Sequence, residues 1–276
     1  MDYTSKRKKR SLTILAFVIS LFHAIPFYIL ITTALKARGD YSSKWVFPTE
    51  WSLANFSEAW EQANLGNAII NTTIITFFAA ILLIILGSMA AYPLARKKTK
   101  LNKYVYFLFI AIMVIPPLTA LVPLYQLVVD IGMMNTRTIA VLNNVASFMP
   151  LTIFLYAGFI RSTIPKELEE AARIDGASTL GIFFKIIFPL LKPITATVLI
   201  ICSVYIWNDY QFAIFFLQSD EVKTLTVTIS SFFGENANNL NLVASAAMIA
   251  MLPMVILFLF LQRFFIEGLA SGSVKG

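Results

Sequence analysis

Two short stretches concentrate the side chains able to do chemistry in an otherwise apolar sequence. One is Trp207-Asn208-Asp209-Tyr210-Gln211, a carboxylate and two amides set between aromatic rings. Aromatic faces stack on apolar ring surfaces and the polar groups hydrogen-bond hydroxyls, so the set suits a solute such as a sugar. An ionisable Asp209 at membrane depth is costly and marks function. The same residues also suit the outer membrane interface, where Trp and Tyr concentrate and Asp209 would be wet. Both readings stay open. Asn143-Asn144 forms a second polar pair that could face the same cavity.

The other stretch lies within residues 161–192. Its opening part, 164–176, predicts a short helix: Pro165 suits the first turn, and Glu167, Glu169 and Glu170 complement the positive end of the dipole. Arg173 falls near the last turn, and Gly176 can take the left-handed conformation that stops a helix. Leu168, Ala171, Ala172 and Asp175 share one face by i, i+3, i+4 spacing. Such a helix is too short to cross a bilayer and too weakly apolar to hold lipid alone. It suits a partner protein with a receiving groove, Glu170 and Arg173 pairing with opposite charges; an ordinary structured loop at the interface fits as well. A second short helix beginning near Ser178 leads through Pro189 and Pro193, which stiffen the junction to the next apolar run.

Little else offers catalysis. His23 is the one histidine and sits in an apolar segment, where it reads as a packed or interfacial residue. Cys202 is the one cysteine, so no disulfide or thiolate metal cluster can be assembled within the chain. Gly176 and Gly181 have the glycine spacing of a phosphate-binding loop, but Ile182 and Phe183 stand where Lys and a hydroxyl are required. The chain is therefore expected to be no enzyme, with no cofactor or metal of its own.

The elements that position these residues follow from composition. Hydrophobic residues make up 58% of the 276 and charged residues 13%, and the mean hydropathy is +0.75. Soluble domains carry roughly 25% charged residues, so lipid is the expected solvent for much of this chain. Six stretches have spanning length: 11–35, 67–94, 104–129, 138–160, 192–217 and 242–265. The first is too long for the apolar core of a signal peptide, about 7–15 residues, and reads as a retained span. Gly87, Ala90 and Ala91 offer a small-residue face for close helix contact. The net charge of +7 would suggest nucleic acid in a soluble protein. Here basic residues in short loops orient the spans, and no nucleic acid is expected. Clusters at 6–10, 96–103 and 161–192, with Arg263 and Lys275, hold all but Lys36, Arg38, Lys44, Arg137 and Lys223 of the 22 Lys and Arg. Both termini are thereby expected in the cytoplasm. The longest outer loop, 36–66, carries Trp45, Trp51 and Trp60, and 218–241 could project outward.

Glu170-Ala171-Ala172, then Gly176 after three residues, then Ile186 and Pro189, resemble the EAA loop of binding-protein-dependent ABC importer permeases. Phe188 stands where that family usually has Leu. The Asp175-Gly176-Ala177 run also fits. The resemblance implies an all-α, polytopic MetI-like permease fold with six transmembrane helices, its MetI-like domain at 67–265. Residues 1–66 would hold an N-terminal cytoplasmic segment, a peripheral span and an outer loop, and 266–276 a cytoplasmic tail. It further implies a cytoplasmic coupling helix in which Glu170, Ala171, Ala172, Asp175 and Gly176, with Pro189 beyond, meet two separate ATP-binding subunits that carry ATP and Mg. The segment Trp207–Tyr210 and the tail from Glu267-Gly268-Leu269 to Gly276 are similar to the maltose-type carbohydrate branch. That branch implies a heterodimer with a second permease, an extracytoplasmic solute-binding protein and a prokaryotic cell membrane. Other solutes (amino acids, peptides, polyamines, glycerol phosphate) are alternatives within the family. A secondary transporter is a rival class whose one candidate coupling carboxylate is Asp209.

Overall fold

A computed structural model of the chain describes residues 6–40 and 42–273. Among them all regular structure is helical apart from a single bridge between Lys36 and Trp51. Four helices are long and apolar enough to cross a membrane, or six if two bent pairs each count as one span. The chain divides into two compact units, Met1–Gly66 with Thr228–Leu252, and Asn67–Val227 with Pro253–Gly276.

In the first unit α1 (Lys6–Leu35) is the first span, and α2 (Ala54–Gln62) lies within what the sequence marks as a loop. The last carbonyls of a helix have no partner within it and must be satisfied elsewhere, above all where water is scarce. Here side chains do so. Asn55 Nδ2 donates to Ala34 O at 2.9 Å and Lys36 O at 2.7 Å, and Ser245 Oγ to Ala34 O at 3.2 Å. Asn241 Nδ2 donates to Lys36 O and Ala37 O at 3.3 and 3.2 Å. Lys36 is buried, its ammonium donating to the carbonyls of Ser42 and Ser43 at 2.8 and 2.9 Å. Hydrogen bonds from Ser42 hold the nearby Asp40 carboxyl below the usual carboxylate range. Trp45 and Trp51 are exposed, as interfacial aromatics would be.

The second unit contains α3 (Leu65–Arg96, less its first two residues), α4 (Lys100–Ile112), α5 (Leu121–Asp130), α6 (Arg137–Thr163) and α7 (Glu167–Ile174). Three short pieces follow: α8 (Thr179–Ile182), a π turn (Phe183–Ile187) and α9 (Phe188–Leu190). After them come α10 (Lys192–Trp207) and α11 (Gln211–Phe216). The remaining helices, α12 (Leu225–Glu235) and α13 (Leu240–Ser273), are divided between the two units. Ile75, Leu83, Ile153, Tyr156, Ile187 and Cys202 lie in one apolar core that joins α3, α6, the π turn and α10. Gly87 lets α3 approach α6, because a Cβ there would lie 2.3 Å from Thr152 Cγ2. Ala91 is fully buried on the same helix.

Two expected spans depart from straight helices. The run at 104–129 is broken: Lys100–Ile112 and Pro117–Asp130 meet at 95°. Pro116 precedes Pro117 and is forced into the extended region (φ −62°, ψ 128°), which no helix can continue through. The run expected at 192–217 ends as a helix at Trp207, and at its start Thr179–Leu190 joins α10 with a 73° bend. The segment expected as a loop at 218–241 contains α12. Its first part is pinned: Asn71 Nδ2 donates to the carbonyls of Glu221 and Lys223, and Leu225 N to Thr72 Oγ1, at 2.9 to 3.0 Å. Asn135, at φ +55°, accepts from Gln218 N at 2.6 Å and Ser219 N at 3.0 Å.

Candidate docking helix and polar turn

The short charged helix is present as α7, narrower than the 164–176 expected. Ile164 takes extended backbone (φ −94°, ψ 116°), as the residue before a proline prefers, so Pro165 stands outside the helix. Glu167, Glu169 and Glu170 fill the first turn and Arg173 the last, each matching the dipole. Gly176 sits at φ +79° in open space, and the N–H groups of Gly176 and Ala177 return to the carbonyls of Arg173 and Ala172 at 3.0 and 2.9 Å. The stop works through backbone conformation, not crowding.

The faces of α7 are unequal. Glu170, Ala171, Asp175 and Gly176 are exposed, whereas Ala172 turns inward and is buried. The exposed apolar side chains are Leu168 at 45% and Ile174 at 87%, and Ile174 was not among the residues the spacing marked. Pro189 lies apart, exposed in α9 beside the bend before α10. Ser178 accepts from Gly181 N at 3.1 Å and so opens the second short helix where expected.

The inward face holds the group that sequence reasoning missed. Glu169 is 4% exposed as a side chain and accepts from Arg96 Nε at 2.6 Å and Tyr92 OH at 2.7 Å. Arg96 Nη2 also donates to Ile164 O at 2.7 Å, so one guanidinium holds both α7 and the extended residue leading into it. Arg173 reaches the other oxygen of Glu169 at 3.8 Å. Arg161 Nη2 donates to Leu94 O at 2.9 Å, with its guanidinium 4.3 Å from the centre of the Tyr106 ring. A cleft of about 240 Å³ opens beside this cluster, lined by Tyr92, Arg96, Lys97, Arg173, Leu180 and Phe183 among others. The i, i+4 spacing of Tyr92 and Arg96 was visible in the sequence; a partner 73 residues away was not.

The polar turn after α10 is held largely by contacts within the chain. Trp207 is buried at 4% exposure inside the chain's own packing. Asn208 folds back, its Nδ2 donating to Val204 O at 2.7 Å. Asp209 Oδ1 accepts from Phe212 N at 3.1 Å and so caps α11, and the Asn144 side chain, whose Nδ2 donates to Ala140 O at 2.9 Å, lies near the same carboxylate. Thr226 Oγ1 donates to Asp209 O at 2.8 Å. The two polar clusters therefore come close, at buried Asn144 and half-buried Asp209. Asn208, Tyr210 and Gln211 are exposed, Tyr210 at 38%, and Asn143 and Asp209 are half-buried, so all of these offer some accessible surface. The tail similarity at 267–276 falls on residues whose side chains, and from 274 whose backbone, lie outside those described.

Comparison with known proteins agrees with this architecture. The pattern of the family "Binding-protein-dependent transport system inner membrane component" matches residues 83–270. The chain is 68% identical over 270 residues to the melibiose/raffinose/stachyose import permease protein MelC of Bacillus subtilis (strain 168), covering 98% of each chain. It is 34% identical over 271 residues to the probable starch degradation products transport system permease protein AmyC of Thermoanaerobacterium thermosulfurigenes, covering 97% of each. Among solved structures, a chain of a bacterial ABC transporter involved in the import of the acidic polysaccharide alginate superposes with a TM-score of 0.79, over 96% of this chain and 100% of that one, at 20% identity. A chain of a bacterial alginate ABC transporter in complex with an alginate pentasaccharide-bound periplasmic protein gives 0.69 over 95% and 96%, at 16% identity. These two carry the fold, which is the all-helical permease fold expected from the sequence.

Proposed function

The chain belongs to the family of binding-protein-dependent transport system inner membrane components, and on that premise we propose that it is one of two permease subunits of an ATP-driven importer of small oligosaccharides. The observation that carries the coupling half of this reading is α7. It is an eight-residue helix, too short to span, that turns Leu168, Ala171, Ile174 and Glu170 outward beside a glycine stop. Such a surface needs a receiving groove, and two ATP-binding subunits, carrying ATP and Mg, supply it. Both termini and α7 then lie on the cytoplasmic side of a prokaryotic cell membrane, consistent with the basic clusters at 6–10, 96–103 and 161–192. An extracytoplasmic binding protein delivers the sugar to the opposite face. ATP binding closes the ATPase pair, α7 moves with it, and the spans pass from inward- to outward-facing. Hydrolysis resets them and releases the sugar inward.

The 68% identity to the raffinose-family permease supports oligosaccharides of that size and neutrality as cargo. Tyr210 and Asn143 are the side chains assigned to the sugar path, because Trp207 and Asn144 are buried, Asn208 folds back on Val204 O and Asp209 is occupied as a cap. The test is uptake of labelled raffinose by cells lacking this chain and by cells in which it is restored. Restored uptake that depends on the partner ATPase supports the reading; uptake unaffected by removing the chain overturns it.

A further inference from the structure

Resting on the docking role of α7, we propose that Glu169 is a positioning residue that keys this helix to the end of α3. Movement of the ATPase then reaches α3 through a buried ion pair, not through the chain connection alone.

The covalent connections of α7 are poor levers. On one side lies extended Ile164 followed by Pro165, and on the other Gly176 at φ +79°, the π turn and the 73° bend before α10. An eight-residue helix has little stability of its own, so its orientation is set by what grips it. Glu169 is its one buried charged side chain. Two donors one turn apart on α3, Tyr92 and Arg96, converge on that carboxylate at 2.7 and 2.6 Å. The other arm of the same guanidinium holds Ile164 O at 2.7 Å. Arg96 is the final residue of α3, where a cation also suits the dipole. Arg161 fastens the end of α6 to Leu94 O of α3 at 2.9 Å.

A buried pair of this kind is a poor source of net stability, because desolvation offsets the attraction. What it fixes is geometry: a planar guanidinium with set donor directions holds its acceptors in one relative orientation. The flanking charges do not share the task. Glu170 is exposed, and Arg173 is 55% exposed and stands 3.8 Å from Glu169.

The test uses the whole transporter in proteoliposomes: this chain, its partner permease, the ATPase subunits and the binding protein. Two quantities are read, the ATPase retained by the purified complex and the raffinose imported per ATP hydrolysed. Glu169→Gln is expected to retain the ATPase yet lower raffinose per ATP at least about fivefold. Tyr92→Phe, which removes one donor and keeps the ring, should lower it less. The exchanged pair Arg96→Glu with Glu169→Arg should recover transport relative to either single change. An unchanged ratio in both Glu169→Gln and Tyr92→Phe overturns the proposal, as does a fall in import that only tracks lost complex. Glu170→Lys serves as the separate control. If it keeps the ATPase bound and import intact, the docking role itself is wrong, whatever Glu169 does.

Discussion

Gly87 and Thr152 hold α3 against α6 so closely that a Cβ at position 87 would lie 2.3 Å from the Thr152 methyl carbon. Overpacking at such a contact typically costs about 1–3 kcal/mol. Gly87→Ala should therefore lower the thermal stability of the purified complex, and Gly87→Val should lower it further. Thr152→Ser removes the offending methyl while keeping the hydroxyl that donates to Phe148 O at 2.8 Å. Paired with Gly87→Ala, it should return most of the loss. A melting curve for the double variant no better than for Gly87→Ala would show that the contact is not what limits position 87.

At Gly176 the restriction is conformational. Nothing lies within 4 Å of an added Cβ, yet φ is +79°. Asn tolerates this region far better than Ala or Val, for which it costs about 1–2 kcal/mol. Raffinose uptake should follow the order Gly, Asn, Ala, Val. A variant set ranked by side-chain volume alone, with Asn below Ala, would argue for a steric role against the ATPase instead.

Asp209 caps α11, so its loss should be repaired by another capping side chain. Asp209→Asn retains an oxygen for Phe212 N and should leave uptake close to normal, while Asp209→Ala should cost about 1 kcal/mol of stability. Tyr210→Ala is expected to act the other way, lowering raffinose uptake roughly tenfold, about 1.4 kcal/mol, with assembly intact. Loss of uptake in Asp209→Asn with unchanged melting would place its charge in the sugar path.

Asn55 satisfies the carbonyls of Ala34 and Lys36 at 2.9 and 2.7 Å from a buried position. Asn55→Leu leaves both acceptors without that donor and should destabilise the chain by about 1–3 kcal/mol. The effect should be read as faster hydrogen exchange at residues 34–38. Exchange there equal to the native rate would mean that Asn241 and Ser245 suffice.

The spans were legible because length and hydropathy are local properties: α1, α3, α6 and α13 follow from long apolar runs, each with a basic residue or cluster at one end at least. So was the close of α7, since Arg in the last turn and a glycine beyond are dictated by the helix's own dipole and backbone; its start was set too early, because Pro165 holds Ile164 extended and the helix opens only at Glu167. The 95° break at Pro116 and Pro117 was not, because membrane helices accept proline as a kink and sequence alone does not separate a kink from a stop. Nor was the inward turn of Trp207 and Ala172. Which side of a helix meets protein depends on neighbours brought together from far along the chain. Glu169 shows the same limit: three glutamates crowd one turn, and only the fold decides which of them is buried.

The apolar part of α1 has a different consequence. An 18-residue stretch of it shows no buried residue, and the side-chain bonds that fasten the helix to its own unit lie from Tyr28, which donates to Trp45 O at 2.9 Å, to its last turn and the residues just after it. A segment held at one end and bathed in lipid along its length is constrained by how oily it is and hardly by which oily residue stands where. Positions 11–25 are thus open to drift among apolar residues, and a foreign hydrophobic segment grafted between the basic cluster at 6–10 and Tyr28 would serve this protein as well as its own.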